Sequence, residues 1–279
     1  MNSLFKKIGL AITFSPTGKA LLAESARLQK LFNCELVLIH IGPKEQKAEK
    51  ALNKLITECS LDREKLRIIW SAGEPAKTIL KESKKADIDL LVCGALEKEN
   101  IIKKYLGSVA RKLMRNEFIS TLILYSPSEQ PQGFKSFCVS TDFSAVSERG
   151  IRIAYGFARL ENAEKFIIIK DCYVPGLTST VLSTGNSEQI ERAKNNVLND
   201  EIQKLNIFVR EMNLKGLEVT THCVYGKEGW EAGNFARESK ADLFVITTPP
   251  KKYGFIDILF PHEDEYLYED LPTNLLILR

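Results

Sequence analysis

Two glycines and a serine are the first candidates for chemistry in this chain. Gly94 closes the apolar run IDLLVCG. Thirteen positions on, Gly107 and Ser108 open the run VARKLMR, within YLGSVARKL. A glycine lets the backbone come close to a ligand, and a helix start presents free N–H groups that favour an anion. Ser108 could donate its hydroxyl to a phosphate or cap the helix. Other reactive side chains are sparse. His40, His222 and His262 have no spacing that suggests a catalytic triad or a zinc set. Cys34, Cys59, Cys93, Cys138, Cys172 and Cys223 form no C-x-x-C pair, and most lie in or beside apolar runs, so they read as buried reduced thiols. The cluster His262-Glu263-Asp264-Glu265 reads as acids in the first turn of a helix, with a metal site as the alternative. It lacks the second histidine of H-E-x-x-H. A P-loop, a G-x-G-x-x-G fingerprint and a G-x-S-x-G nucleophile elbow are all missing.

The elements that would position these residues alternate. Apolar runs of buried-strand type occur at 8–14, 35–41, 66–70, 88–94 and 120–125, with helical stretches such as LLAESARLQKLF (21–32) between them. Strands covered on both faces lose their polar alternation, so this pattern predicts parallel sheets with helices on both sides. After Tyr125, the stretch SPSEQPQGF reads as a linker and the pattern then restarts. SFCVSTDFS resembles GLAITFS 129 residues earlier, and KADLFVITT resembles DIDLLVCGA at an offset of 153. The difference places an insertion in the second half, for which VPGLTSTVLSTGNSEQ (174–189) and a longer following helix are the candidates. The chain therefore divides into residues 1–126, a linker at 127–135, and a second copy at 136–279.

Composition bounds the function. The chain has 279 residues, 44% hydrophobic and 27% charged, as in ordinary globular proteins. Its 39 basic and 36 acidic residues nearly balance, which argues against a nucleic-acid partner. No apolar stretch reaches the roughly 18 residues that span a bilayer, so no membrane role is expected. The start, MNSLFKKIGLAITF, reads as a first buried strand more than as a signal peptide, and a cytoplasmic location is the expectation.

The spacing at the fourth strand resembles the nucleotide motif of the universal stress protein family: Gly, two residues, Gly, nine residues, Gly-Ser/Thr. Here it runs Gly94-Ala-Leu-Glu97, nine residues, Gly107-Ser108. The size of each half, the D-L-hydrophobic-V fourth strand and the glycine before the third helix (WSAGEPAKTIL, VYGKEGW) agree. The chain is thus similar to a tandem member. The resemblance implies two Rossmann-like α/β domains of the adenine nucleotide alpha hydrolase-like kind, each with a five-stranded parallel sheet in order 3-2-1-4-5. It also implies a last strand that pairs between protomers; STLILY and NLLILR could pair within one chain, with a homodimer as a further possibility.

By the same resemblance, ATP or another adenine nucleotide would bind the first half through Thr13, His40, Gly94, Glu97, Gly107, Ser108 and Val109. Gly94 and Gly107 would give backbone access, Ser108 would bind phosphate, Thr13 would sit near sugar or base, and His40 near the adenine edge. The sequence departs from the pattern in both halves. Thr13 stands where the family carries Asp, and Glu97 where it carries Gly. Like charges 4 Å apart cost about 4 kcal/mol at an effective dielectric near 20, although Lys98, Lys103 and Lys104 are near in sequence. The second half keeps the acid as Asp142, which is a ligand remnant or a helix cap, but has Thr247, Pro250, Phe260 and Pro261 in place of the motif. Three functions stay open. The first is a stress-response protein that binds nucleotide weakly and signals by conformation. The second is an interaction scaffold without nucleotide, whose 174–189 insertion meets an unknown protein partner. The third, least favoured, is a slow nucleotide hydrolase, since no general base stands beside a nucleophile.

Overall fold

The computed structural model describes residues 4–98, 101–105, 107–172, 187–226, 230–248 and 271–279. Its contacts form two compact units. The first takes residues up to Gly133 with the C-terminal strand, and the second begins at Phe134.

In the first unit, β1 (Lys7–Ala11), α1 (Pro16–Phe32), β2 (Glu35–Ile41), α2 (Gln46–Glu58), β3 (Leu66–Ser71), α3 (Pro75–Lys85) and β4 (Leu90–Gly94) alternate. A short hairpin follows, β5 (Leu96–Lys98) and β6 (Ile101–Tyr105), and then α4 (Ser108–Met114) and β7 (Ser120–Leu124). The parallel strands lie in order β3-β2-β1-β4-β7, which is the expected 3-2-1-4-5. Leu36, Leu38, Leu90, Leu91 and Val92 are fully buried, as continuous apolar runs between two helical layers require. Local signals fix the ends of α1. The Ser15 side chain accepts from Gly18 N, and Asn33 stops the helix in the left-handed region at φ 52°.

The second unit contains β8 (Ser136–Ser140), α5 (Ala145–Leu160), β9 (Lys165–Cys172), α6 (Ser187–Glu211), β10 (Val219–Tyr225), α7 (Trp230–Glu238) and β11 (Leu243–Thr247). Its parallel strands run β10-β9-β8-β11, the same 3-2-1-4. α6, with 25 residues against 13 in α2, accounts for part of the extra length of this half. The polar stretch before it lies almost wholly outside the described residues, as do Pro250, Phe260, Pro261 and the 262–265 cluster.

The repeat extends to single hydrogen bonds. Asp89 accepts from Lys6 N and Lys7 N, at 2.7 and 3.1 Å. Asp242 accepts from Lys135 N and Ser136 N, at 2.6 and 2.9 Å. Ile12 N donates to Ile39 O in one unit and Thr141 N to Ile169 O in the other.

The last strand departs from the boundary read in sequence. β12 (Asn274–Leu278) pairs antiparallel with β7, placing Leu275 opposite Ile123 and Leu276 opposite Leu122, so it belongs to the first unit. Tyr125 N also donates to Asn274 Oδ1 at 2.8 Å. Leu276 and Leu122 are both fully buried, and an apolar edge strand such as β7 demands such a cover.

Candidate functional site

In the first unit the sheet order reverses between β1 and β4, the point at which open parallel sheets place ligands beyond the carboxyl ends of their strands. Thr13 is exposed just past β1, and its Oγ1 is 2.9 Å from Ser15 Oγ. His40, near the end of β2, is half-buried. Its Nδ1 lies 3.1 Å from Ile12 O. A carbonyl only accepts, so Nδ1 donates and Nε2 is left as the acceptor. The ring sits between Phe14, at 4.9 Å, and Trp70, at 4.8 Å edge-on. A Cβ on Gly42 would come within 2.9 Å of Nε2, so that glycine makes room for the ring.

Gly94 ends β4 beside α1; a Cβ there would stand 3.1 Å from Leu21 Cδ1. The segment after it, which spans the motif-like spacing up to Gly107, folds on itself. Leu96 pairs with Tyr105 and Glu97 with Lys104 across the β5–β6 hairpin. Backbone groups in such a ladder are already satisfied. The side chain of Glu97 is outside the described residues. Gly107 is buried at the N-cap of α4, with φ −62° and no side-chain cap. Ser108 is exposed and Val109 half-buried. By contrast, Ser15, Glu74 and Ser144 cap α1, α3 and α5.

The topology thus gathers Thr13, His40 and Gly94 at one strand edge. Because β4 and β7 are parallel, the connecting helix α4 also starts from that edge. Two residues important to this geometry had no signal in sequence beyond being glycine. One is Gly42. The other is Gly18, where a Cβ would fall 2.1 Å from Thr13 O.

The second unit's edge is built differently. Asp142 Oδ1 accepts from Ser144 N at 3.0 Å, so this carboxylate holds the turn that leads into the Ser144 cap of α5. Its partial desolvation pushes the carboxyl up, and hydrogen bonding, chiefly from Ser144, outweighs that, holding it below the usual range. Thr141 Oγ1 is 3.0 Å from Ser147 Oγ. Thr247 takes the place of Gly94, and its hydroxyl lies 2.1 Å from where a Cβ of Gly150 would be. Among the described residues no His, Cys, Asp and Glu groups are arranged to hold a metal ion. No helix among them is long and apolar enough to cross a membrane.

Residues 41–124 match the family model described as the universal stress protein family. A solved universal stress protein from Archaeoglobus fulgidus shares the fold with 17% identity, covering 100% of this chain and 99% of that one, at a TM-score of 0.65. A functionally unknown protein from Pseudomonas aeruginosa PAO1 is also similar, with 17% identity over 100% of this chain and 94% of its own, at 0.68. No curated protein matches the sequence.

Proposed function

We propose, from the match of residues 41–124 to the universal stress protein family, that the chain is a tandem universal-stress-type protein that binds an adenine nucleotide weakly in its first unit. It would act in the stress response through conformation or partner binding. The observation that carries this reading is the start of α4: Gly107 opens the helix without a side-chain cap and is followed by exposed Ser108. Uncapped first-turn N–H groups suit a phosphate. The acceptor Nε2 of His40 and the hydroxyl of Thr13 supply polar contacts for a base and a sugar. Gly94 supplies close backbone approach, and Glu97 and Val109 lie along the same connection.

A specific observation favours a second reading, the nucleotide-free scaffold. The β5–β6 hairpin pairs its own backbone over the stretch that a phosphate loop would leave open. One experiment separates the two. Small molecules released by denaturing the full chain are identified by mass spectrometry, and ATP and AMP are titrated calorimetrically into the wild type and Gly107→Val. The nucleotide reading expects binding in the micromolar to millimolar range that is lost in the variant, with circular dichroism unchanged. An empty extract and no heat at millimolar nucleotide in the wild type would leave the scaffold reading.

A further inference from the structure

The second unit holds two thiols that the nucleotide reading does not use. β9 and β10 are parallel neighbours, with Lys170 opposite Cys223 and Cys172 opposite Tyr225. Residues two apart on a strand share a face, so Lys170, Cys172 and Cys223 lie on the same one. The register makes Cys172 and Cys223 diagonal neighbours across the two strands. Cys172 Sγ is also 3.4 Å from Val224 O, so its side chain reaches across to β10. Cys172 is the buried last residue of β9, while Cys223 is only half-buried.

We propose that Cys172 and Cys223 are a redox-active dithiol, which a peroxide converts reversibly to a disulfide. The thiolate is the reactive form of cysteine. The neighbouring Cys223 thiol, with help from the Lys170 ammonium and against desolvation, holds the Cys172 thiol below its ordinary value. Cys172 in turn, together with burial, pushes the Cys223 thiol up. The other four cysteines have the opposite character. Burial pushes Cys34 up to about 11 and Cys93 up to about 12, and also raises Cys59 and Cys138.

In the first step the Cys172 thiolate attacks one oxygen of hydrogen peroxide. The O–O bond breaks, a sulfenic acid forms, and the departing hydroxide takes up a proton to become water. The sulfur of Cys223 then attacks the sulfenic sulfur. The S–S bond forms, and the hydroxyl leaves with the Cys223 proton as a second water. Two thiols are oxidised and one peroxide is reduced to two waters. With parallel strands about 4.8 Å apart and a rise of about 3.3 Å per residue, diagonal neighbours sit about 8 Å apart at Cα, beyond the roughly 4.4–6.8 Å of most disulfides. Closing the bond therefore draws the end of β9 towards β10. A bond that displaces its surroundings is readily reduced, which suits a reversible modification rather than a structural cross-link.

The test is made on the full chain. Stoichiometric hydrogen peroxide is added, and free thiols are counted under denaturing conditions before and after reduction with dithiothreitol. The expected result is loss of two of the six thiols, full recovery on reduction, and a Cys172–Cys223 cross-linked peptide by mass spectrometry. In Cys223→Ser, dimedone should trap a sulfenic acid at Cys172, and in Cys172→Ser no cross-link should form. Retention of all six thiols in the wild type, or loss confined to other cysteines, overturns the proposal whether or not the variants fold. Phenylarsine oxide is an independent probe, since it bridges adjacent thiols. Protection of Cys172 and Cys223 from later alkylation is the expected outcome, and alkylation of both despite the arsenical counts against the pair.

Discussion

The two units share one topology but keep different parts of it constant. At the amino ends of the strands they agree: Asp89 and Asp242 each take two backbone N–H groups at the start of the first strand of their unit. At the carboxyl ends they have diverged. Phe14, His40 and Trp70 pack together in the first unit, and Phe143, Lys170 and Cys223 hold the corresponding positions in the second. Small and large residues have also exchanged places. Leu21 packs over Gly94 in one unit, and Gly150 makes room for Thr247 in the other. The amino ends carry the frame, which tolerates little change. The carboxyl ends carry what open parallel sheets use for ligands, and there each unit has gone its own way.

The largest effect expected from this comparison is on the frame. Asp89→Ala and Asp242→Ala each strand two backbone donors that had a charged acceptor. Hydrogen bonds to charged groups contribute about 1.5–3 kcal/mol each, and with water replacing part of the loss about 2–3 kcal/mol per variant is expected in urea unfolding. The comparison predicts similar losses for the two. A loss for one and none for the other would mean that the duplicated geometry is not duplicated energetically.

The exchange of small and large residues yields the next effect. Gly94→Thr copies the second unit's residue into the first, where its Cβ meets Leu21 at 3.1 Å. Overpacking of this kind costs about 1–3 kcal/mol. Adding Leu21→Ala should recover part of that loss, which a thermal or urea melt of the double variant can show. Recovery would mean that Gly94 is needed for helix packing whatever it does for a ligand. If Gly94→Thr costs nothing in stability yet abolishes ATP binding, its role lies wholly in the site.

Much of this was legible in sequence, and the exceptions have physical causes. The five parallel strands of the first unit followed from apolar runs that need cover on both faces, and their order from the resemblance to the universal stress protein family. α1 begins at Pro16 rather than near Leu21 because the Ser15 cap acts before the apolar face starts. The β5–β6 hairpin was missed because Leu96–Tyr105 falls inside a spacing that resembles a phosphate loop, and that resemblance masked the strand propensity of Ile101, Ile102 and Tyr105. The partner of the C-terminal strand was legible as a possibility only, since NLLILR states that an edge needs cover but not which edge. The paired thiols had no signal. Cys172 and Cys223 are far apart in the chain, and only the register of β9 on β10 brings them together. The dual reading of Asp142, cap or ligand, was likewise beyond sequence, because both use the same carboxylate at the same helix start.

That carboxylate provides the smallest effect and the sharpest contrast, because Thr13 gives the first unit no titrating counterpart. Asp142 is held below the ordinary carboxyl range in the folded chain, while the unfolded value is about 3.9. A depressed native value stabilises the fold above the unfolded value. That contribution is lost as pH falls from about 4 through the lower native value. Asp142 is exposed, so solvent screening limits the contribution to a few tenths of a kcal/mol. Asp142→Asn should keep the turn before α5, since asparagine accepts the same backbone N–H, and should lose less stability than the wild type on acidification across that window. A carboxyl titration of Asp142 followed by NMR decides the sign directly. A midpoint below the free value supports Asp142 as an ionised acceptor for Ser144 N, and one at or above it would mean that desolvation wins and that the two helix starts differ less than their residues suggest.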